Sequence, residues 1–264
     1  MRGAFRQLIR DGRNQLKYLR FKSALPKNPM HDDIYIVEFP KSGVTFFSHI
    51  VGNIELLLEG RNEFVSFYNH QKYVIDVHQA EGRIINRSLG RTFIKSHARY
   101  CPYYYFVVYL IRNPFDVMVS YYNLLIRKGY KESFETFVKS PVFGVASWKK
   151  HVNGWNGRPN IAQRMNHIRY EDLVRSPKEE VAALYLNLGV ELPDETLDRA
   201  IELSGLDHMR KSEKHYMDHN LNYNMSFVGK AGKLKKEELL TNPIRDFIQT
   251  ELSTEIAHYY PEGV

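Results

Sequence analysis

The sequence predicts an α/β fold in which one domain contains a central, mostly parallel sheet flanked by helices. Short segments rich in β-branched and aromatic residues alternate along the chain with longer segments of helical periodicity. One short segment, 103–111, is a nearly unbroken apolar run of the kind that a parallel sheet buries on both faces. The length of 264 residues suits a single domain with a substantial core. We assign residues 33–264 to that domain and 1–32 to a basic segment with a linker.

The first strand is predicted over 34–39, where β-branched and aromatic residues follow one another up to Pro40. A loop over 40–43 then leads into a helix predicted over 45–59, which shows apolar residues at helical spacing and ends at Gly60. This order of strand, loop and helix places the loop at the N-terminus of a helix. Further strands are predicted at 73–77, 91–96, 103–111 and 165–169.

Pro114 is predicted to begin a helix that runs to about residue 128, with Asn113 as a candidate N-cap. Ser176 to Glu179 read as a capping box with proline at the first helical position, so a helix is expected from there until Gly189 stops it. The polar stretch 211–233 predicts a long loop. Helical patterns also cover 134–138, 142–155, the residues after 194, and most of 235–260 with an interruption near Pro243.

Composition favours an anionic partner and a reducing compartment. Lysine and arginine number 37 against 30 acidic residues, which gives a formal net charge of +7. Cys101 is the single cysteine, so an intrachain disulfide and a cysteine-based zinc site are excluded. With no apolar run long enough to span a bilayer and no signal-peptide pattern, we expect a cytoplasmic protein.

Residues 1–22 place apolar side chains at roughly helical spacing among many arginines and lysines. Such a segment could lie on an anionic membrane surface. It could equally pack on the domain through its apolar stripe. A peripheral membrane contact through 1–22 is therefore one expectation for this segment.

The loop Pro40-Lys41-Ser42-Gly43 has the chemistry of a phosphate-binding loop. A glycine allows close backbone approach, the helix N-terminus supplies N–H groups, and Lys41 adds a positive charge. It is not a Walker A sequence, because Lys41 precedes the glycine. By itself the tetrapeptide would also suit an ordinary turn between strand and helix.

Two more strand ends carry candidate site residues. Lys95-Ser96-His97 ends one predicted strand, and a histidine there can accept a proton near neutral pH. Arg112 leaves the next strand and Ser120 lies on the helix that follows, so both could bind one anion. Each has a simpler alternative: a surface or core histidine, and an arginine paired with Asp116.

Together these segments resemble the PAPS-dependent sulfotransferases, where PAPS is 3'-phosphoadenosine 5'-phosphosulfate. The family's phosphosulfate loop usually reads Tyr-Pro-Lys-Ser-Gly-Thr-Thr-Trp, and here Phe39, Val44 and Phe46 replace the Tyr, the first Thr and the Trp. The family's Lys-Thr-His or Lys-Ser-His matches residues 95–97, and its Arg and Ser stand eight positions apart, as Arg112 and Ser120 do. The chain resembles a divergent, prokaryotic-like member of the cytosolic type.

The resemblance implies a role for each matching position. His97 would be the catalytic base, while Lys41 would contact the bridging oxygen and Lys95 the transferring sulfuryl group. At position 44 the family's threonine hydroxyl is lost, but the backbone N–H of Val44 would still donate to the phosphate. The implied donor-binding residues are Lys41, Ser42, Gly43, Val44, Thr45 and Phe46 for the 5'-phosphate and adenine, Arg112 and Ser120 for the 3'-phosphate, Tyr170, Ser204 and Leu206 near the adenine, and Gly229 with Lys230 or Lys233 in place of the family's C-terminal Arg-Lys-Gly.

The implied reaction moves a sulfuryl group from PAPS to a hydroxyl or amine and leaves adenosine 3',5'-bisphosphate (PAP), with no metal implied. The acceptor is expected to be a small molecule, a carbohydrate or a lipid-linked group, and no nucleic acid is expected. Asp76 and His78 lie two apart on a predicted strand and would share a face, which is too few ligands for a metal site. Two other functions stay open: a nucleotide-dependent phosphotransferase with a related loop, and a non-catalytic nucleic-acid binder suggested by the positive charge.

Overall fold

The computed structural model describes residues 24–80, 83–156, 164–219 and 234–264. Within these residues five parallel strands form one sheet in the order β2-β3-β1-β4-β5. The strands are β1 (Ile34–Glu38), β2 (Val74–Asp76), β3 (Phe93–Ser96), β4 (Phe106–Ile111) and β5 (Arg164–Arg169). The α/β fold class predicted from the sequence, with a parallel sheet and flanking helices, is confirmed.

Helices cover both faces of this sheet. Along β1, Tyr35 and Val37 belong to one apolar cluster, while Ile34 and Ile36 belong to a second cluster on the opposite face. Every residue of β1 and of β4 is buried, which is why both strands read as apolar runs rather than as alternating ones, apart from Glu38 at the end of β1. The helices are α1 (Val44–Leu58), α2 (His70–Tyr73), α3 (Val77–Ala80), α4 (Pro114–Arg127), α5 (Phe134–Lys139), α6 (Val145–Asn156), α7 (Tyr170–Arg175), α8 (Pro177–Asn187), α9 (Asp194–Leu203), α10 (Leu206–His219), α11 (Lys236–Leu239), α12 (Asn242–Glu251) and α13 (Ser253–Tyr259).

The helix starts follow the predicted capping chemistry in one case and depart from it in another. The Asn113 side chain accepts a hydrogen bond from the Phe115 amide at 2.9 Å, and Pro114 occupies the first turn of α4. Helix α8 begins at Pro177 as expected, but the Ser176 side chain makes no capping hydrogen bond. The proline and the buried apolar face of α8 therefore define this helix without the predicted capping box.

The long loop predicted over 211–233 is wrong in its first part, because α10 (Leu206–His219) covers it. Met209 and Glu213 are buried one helical turn apart, so this polar segment has one face packed against the domain. The Ser212 hydroxyl accepts a hydrogen bond from the Phe67 amide at 3.0 Å, which joins the helix to the chain before α2. Tertiary contacts thus stabilise a helix that composition alone does not indicate.

Two predicted features lie outside the described residues: the basic segment 1–22 and the part of the predicted loop over 220–233. Of the helices that the structure does describe, none is both long enough and apolar enough to cross a bilayer.

Candidate active site

Three adjacent strand ends bring the predicted site residues to one edge of the sheet. Strands β3, β1 and β4 are neighbours and parallel, so the segments after Ser96, Glu38 and Ile111 leave the sheet side by side. His97 Nδ1 lies 3.3 Å from the Glu38 carbonyl oxygen. Arg112 Nη1 donates to the Lys41 carbonyl oxygen at 3.2 Å. These two contacts join the loop to both neighbouring strand ends.

The loop between β1 and α1 turns sharply through two left-handed positions. Lys41 has φ 79° and Gly43 has φ 113°. A Cβ atom on Gly43 would stand 2.3 Å from Cδ2 of Tyr170, so this position admits only glycine without displacing the ring. The Ser42 hydroxyl is buried and makes no hydrogen bond within the described part of the chain. The loop therefore contains a buried polar atom that a bound anion could satisfy.

Glu38, the last residue of β1, lies buried between this loop and His97. Its Oε2 accepts a hydrogen bond from the Val44 amide at 2.8 Å, and its Oε1 lies 3.7 Å from His97 Nδ1. Burial raises the pKa of this carboxyl, although His97, the Val44 amide and two nearby lysines favour its charged form. The Val44 amide, which was expected to serve a phosphate, is therefore engaged by Glu38 in this structure.

His97 is held in one orientation and keeps one ring nitrogen available. Its side chain is 30% exposed. Because a carbonyl oxygen can only accept, the contact with the Glu38 carbonyl places the ring proton on Nδ1 and leaves Nε2 as the basic nitrogen. The His78 ring stacks at a centroid distance of 6.4 Å. Behind it, burial first and His97 second lower the pKa of His151 to about 3, so His151 is uncharged at neutral pH.

Lys95 is paired with Asp76, a residue that the sequence reasoning left unassigned. The Lys95 Nζ to Asp76 Oδ2 distance is 3.0 Å, and the two residues are register partners on β3 and β2. Burial disfavours the Asp76 carboxylate, but Lys95, together with the amide and the ring of His78, outweighs burial, so the pKa of Asp76 lies below its ordinary value. The expected shared strand face of Asp76 and His78 is wrong, because β2 ends at Asp76 and His78 lies in α3. Instead, the His78 amide donates to Asp76 Oδ1 at 3.0 Å.

Arg112 reaches across the loop rather than pairing with Asp116. Its guanidinium lies 4.4 Å from the centre of the Tyr170 ring, and its Nε is buried without a hydrogen-bond partner among the described residues. Asp116 instead contacts Lys236, with Oδ1 and Nζ 2.5 Å apart. Ser120, the other residue expected at the 3'-phosphate, lies half-buried two turns into α4. Arg112 thus has a buried donor that no described residue satisfies.

The other predicted nucleotide contacts are placed less directly. Thr45 and Phe46 lie in the first turn of α1, where Phe46 packs partly against the core. The Ser204 hydroxyl is fully buried and donates to the Ala200 carbonyl oxygen at 2.7 Å while accepting from Asn53 Nδ2 at 3.0 Å. Its hydrogen-bonding capacity is thus used inside the protein. Leu206 is 54% exposed at the start of α10, and Gly229, Lys230 and Lys233 lie outside the described residues.

Solved structures of similar shape include mouse sulfotransferase SULT7A1 complexed with PAP, with a TM-score of 0.64 at 19% identity over 94% of this chain and 90% of that one. A retinol dehydratase in complex with androsterone and the inactive cofactor PAP has a TM-score of 0.65 at 15% identity, over 91% of this chain and 85% of that one. At these identities the likeness shows the shared fold.

Sequence comparison extends the likeness. Rabbit sulfotransferase 1C2 is 29% identical over 207 residues, 68% of this chain and 66% of that protein. Mouse sulfotransferase 1E1 is 26% identical over 287 residues, 99% of this chain and 88% of that protein. The chain thus spans just under two thirds of the length of the rabbit relative. Residues 31–253 match the family described as the Sulfotransferase domain, a match that includes the loop, His97, Arg112 and Tyr170. The chain therefore belongs to the sulfotransferase family.

Proposed function

We propose that this protein transfers a sulfuryl group from PAPS to a hydroxyl or amine of an acceptor molecule, with His97 as the general base. The observation that carries the proposal is the meeting of a glycine-containing anion loop, a histidine with Nε2 as its basic nitrogen and an arginine at three adjacent strand ends. Membership of the sulfotransferase family supports it. We propose the cytoplasm as the location, because a chain with a single cysteine has no intrachain disulfide and suits a reducing compartment.

The residues present fit the anionic ends of the donor. PAPS would supply the sulfuryl group and the bisphosphate leaving group. The buried Ser42 hydroxyl and the Arg112 Nε both lack partners among the described residues, and bound phosphate oxygens would satisfy them. We assign Lys41, Ser42, Gly43, Thr45 and Phe46 to the 5'-phosphosulfate, and Arg112 with Ser120 to the 3'-phosphate. The Val44 amide is left out of this set, because it donates to Glu38. For Ser204, the hydrogen bonds inside the protein favour a structural role over an adenine contact.

In this reaction the protein removes the proton of the acceptor and stabilises the charge on the transferring and leaving oxygens. His97 Nε2 accepts the proton of the acceptor hydroxyl, while Nδ1 keeps its own proton and donates it in the hydrogen bond to the Glu38 carbonyl oxygen. Lys41 and Lys95 provide positive charge around the transferring and leaving oxygens. The ion pair with Asp76 fixes the direction of the Lys95 side chain. Positioning and electrostatics of this kind are what an in-line group transfer requires.

We propose a small molecule bearing a hydroxyl as the first acceptor class to test. The retinol dehydratase neighbour was solved with androsterone, and relatives of this chain carry the name sulfotransferase. Carbohydrate and lipid-linked acceptors form the second class, motivated by the basic segment 1–22, which could hold the protein at an anionic surface. A screen with radiolabelled PAPS against steroids, phenols, sugars and glycolipids separates these classes.

Calorimetric titration with PAP tests the donor site. The wild type should bind PAP at least tenfold more tightly than ADP, and Arg112→Ala should reduce that preference to near unity. Arg199→Ala, which removes an exposed arginine paired with Glu202, is the matched control and should bind like the wild type. Equal affinity for PAP and ADP in the wild type would refute the proposal. Phosphate transfer from ATP with Mg²⁺, or salt-sensitive binding of mixed oligonucleotides, would then indicate the alternative functions.

A substitution at His97 tests the base. His97→Ala should lower turnover by about 10²- to 10⁴-fold, the usual contribution of general-base catalysis, while PAP binding stays intact. His258→Ala, in the last helix of the chain, is the matched control. Unchanged turnover in His97→Ala would remove this residue from the proposed role.

A further inference from the structure

We propose that the buried carboxylate of Glu38 is the positioning residue of His97: it orients the imidazole and stabilises the imidazolium formed during sulfuryl transfer. This inference rests on the proposed function. Glu38 ends β1, one position before the loop segment that carries the family resemblance, so no sequence motif singles it out. Only the fold brings it to the base.

Two oxygen atoms of Glu38 lie near His97 Nδ1. The Glu38 carbonyl oxygen lies 3.3 Å from Nδ1, and the Oε1 of the same residue lies 3.7 Å away. The other carboxylate oxygen is tied to the Val44 amide at 2.8 Å, which holds the side chain in place. Only 2% of the Glu38 side chain is exposed, so solvent screens the interaction with His97 weakly.

The reaction itself creates the charge that this carboxylate would stabilise. As the acceptor oxygen forms its bond to sulfur, the acceptor O–H bond breaks and the proton goes to His97 Nε2. The bond between sulfur and the bridging oxygen breaks, and the bisphosphate leaves with that electron pair. His97 is then an imidazolium beside a buried carboxylate, in the arrangement that lowers the free energy of a developing cation. The proton afterwards passes from Nε2 to solvent.

The groups around Glu38 determine whether its carboxyl group is ionised. Lys41 from the loop, Lys95 from β3 and His97 favour the carboxylate, as does the Val44 amide of α1. The Tyr109 phenol of β4 stays protonated, because burial, followed by Tyr259 and Glu38, raises its pKa. His151 of α6, behind His97, is uncharged at neutral pH. Burial opposes the ionisation of Glu38, and these neighbours favour it. Because a negative Glu38 stabilises protonated His97, removing that charge should change the pH range in which His97 works as a base.

A purely structural role is the competing explanation, since Glu38 also accepts from the first amide of α1. Glu38→Gln separates the two roles: its amide oxygen can still accept from the Val44 amide, but it carries no charge. Glu38→Asp keeps the charge on a shorter side chain. Glu55→Gln is the matched control. Like Glu38, Glu55 is a buried carboxylate, but it lies on α1 and is bound to Arg91 and Tyr185 instead of to the site.

The experiment measures PAP affinity, the pH profile of kcat/KM, and the ring ¹⁵N resonances of His97 in the full chain. We expect Glu38→Gln to bind PAP within about threefold of the wild type, to lose about 10- to 100-fold in kcat, and to shift the acidic limb of the profile to lower pH by about one unit or more. Glu38→Asp should recover part of both changes. Glu55→Gln should keep the wild-type profile.

Two outcomes would overturn the inference: an unshifted pH profile in Glu38→Gln, or a loss of kcat matched by an equal loss of PAP affinity. The ring resonances need no turnover, so they test the link between Glu38 and His97 even if no acceptor is sulfated. In Glu38→Gln they should titrate at lower pH than in the wild type, and an unchanged titration would equally refute the link. A wild type that binds PAP but transfers nothing to any acceptor would contradict the proposed function. The titration of the His97 ring resonances would still test the link between Glu38 and His97.

Discussion

Replacing Gly43 with alanine should damage the donor site more than it damages the fold. The backbone at Gly43 has φ 113°, a conformation that L residues adopt only with strain of about 1–3 kcal/mol. A Cβ there would stand 2.3 Å from Tyr170 Cδ2, whereas ordinary contact begins at 3.4 Å, so the ring must move by about 1.1 Å. The same ring carries the Arg112 guanidinium at 4.4 Å from its centre. The clash is thus transmitted to the proposed 3'-phosphate ligand.

The size of the effect follows from these two contributions. Backbone strain together with a disturbed cation–π contact gives a loss of unfolding free energy of about 2–4 kcal/mol. If the Tyr170 ring moves and takes Arg112 with it, PAP affinity should fall at least tenfold, since about 1.4 kcal/mol corresponds to a factor of ten. Gly60→Ala is the control, because Gly60 also has positive φ (66°) but a Cβ there would meet nothing within 4 Å.

The assay pairs urea unfolding with calorimetric titration of PAP. Gly60→Ala should lose about 1 kcal/mol of stability and bind PAP like the wild type. In the double variant Gly43→Ala with Tyr170→Ala the clash is gone, so part of the lost stability should return. Wild-type PAP affinity in Gly43→Ala would show that neither the loop nor the Tyr170 ring helps to hold the donor, and would refute this reasoning.

Two further predictions concern charged and titrating groups. Asp76→Asn should lower kcat several-fold by releasing Lys95. Its deficit in urea midpoint should be present at pH 7 and shrink as the pH falls below 3.8, because a carboxyl with a lowered pKa loses its contribution as the pH falls from its ordinary pKa through its folded-state pKa. A deficit that stays constant over this range would contradict the ion-pair explanation. Burial lowers the pKa of His49 from 6.5 to about 4. Between these pH values the unfolded chain binds a proton at His49 and the folded chain does not, so the wild type should lose up to about 3 kcal/mol of stability as the pH falls from 6.5 to 4. His49→Gln should not show this loss. Parallel stability curves for wild type and His49→Gln over that range would show that His49 is not held neutral by burial.

The sheet and the loop were predictable because both rest on local signals. Apart from Glu38, the segments that form β1 and β4 are apolar without alternation, and a central parallel strand buried on both faces needs that pattern. The loop alone would also suit an ordinary turn, and it was readable as an anion site because the segments around Lys95 and Arg112 match the same family pattern. His97 and Arg112 lie at strand ends, which the parallel order brings to one edge, but their expected roles came from the family resemblance.

The sequence could not reveal contacts that depend on which strands are neighbours. Asp76 meets Lys95 only because β2 pairs with β3 in that register, and the two residues are 19 positions apart. Glu38 reads as one more residue of a buried strand until the fold places His97 beside it. Helix α10 was missed for a related reason, since its packing against the segment around Phe67 stabilises a polar sequence as a helix.

The net charge of +7 is a weaker guide to this site than the placement of individual charges. Lys95 is directed by Asp76 at 3.0 Å, and Arg112 is directed by the Lys41 carbonyl oxygen at 3.2 Å and by the Tyr170 ring. Because these cations are already oriented, an anionic donor would cost less side-chain entropy on binding than one captured by free surface lysines. The same fixed arrangement lets each cation keep its position while charge moves from the acceptor to the leaving oxygen, as electrostatic catalysis requires. A chain with the same net charge spread over its surface would attract the donor but would not orient it.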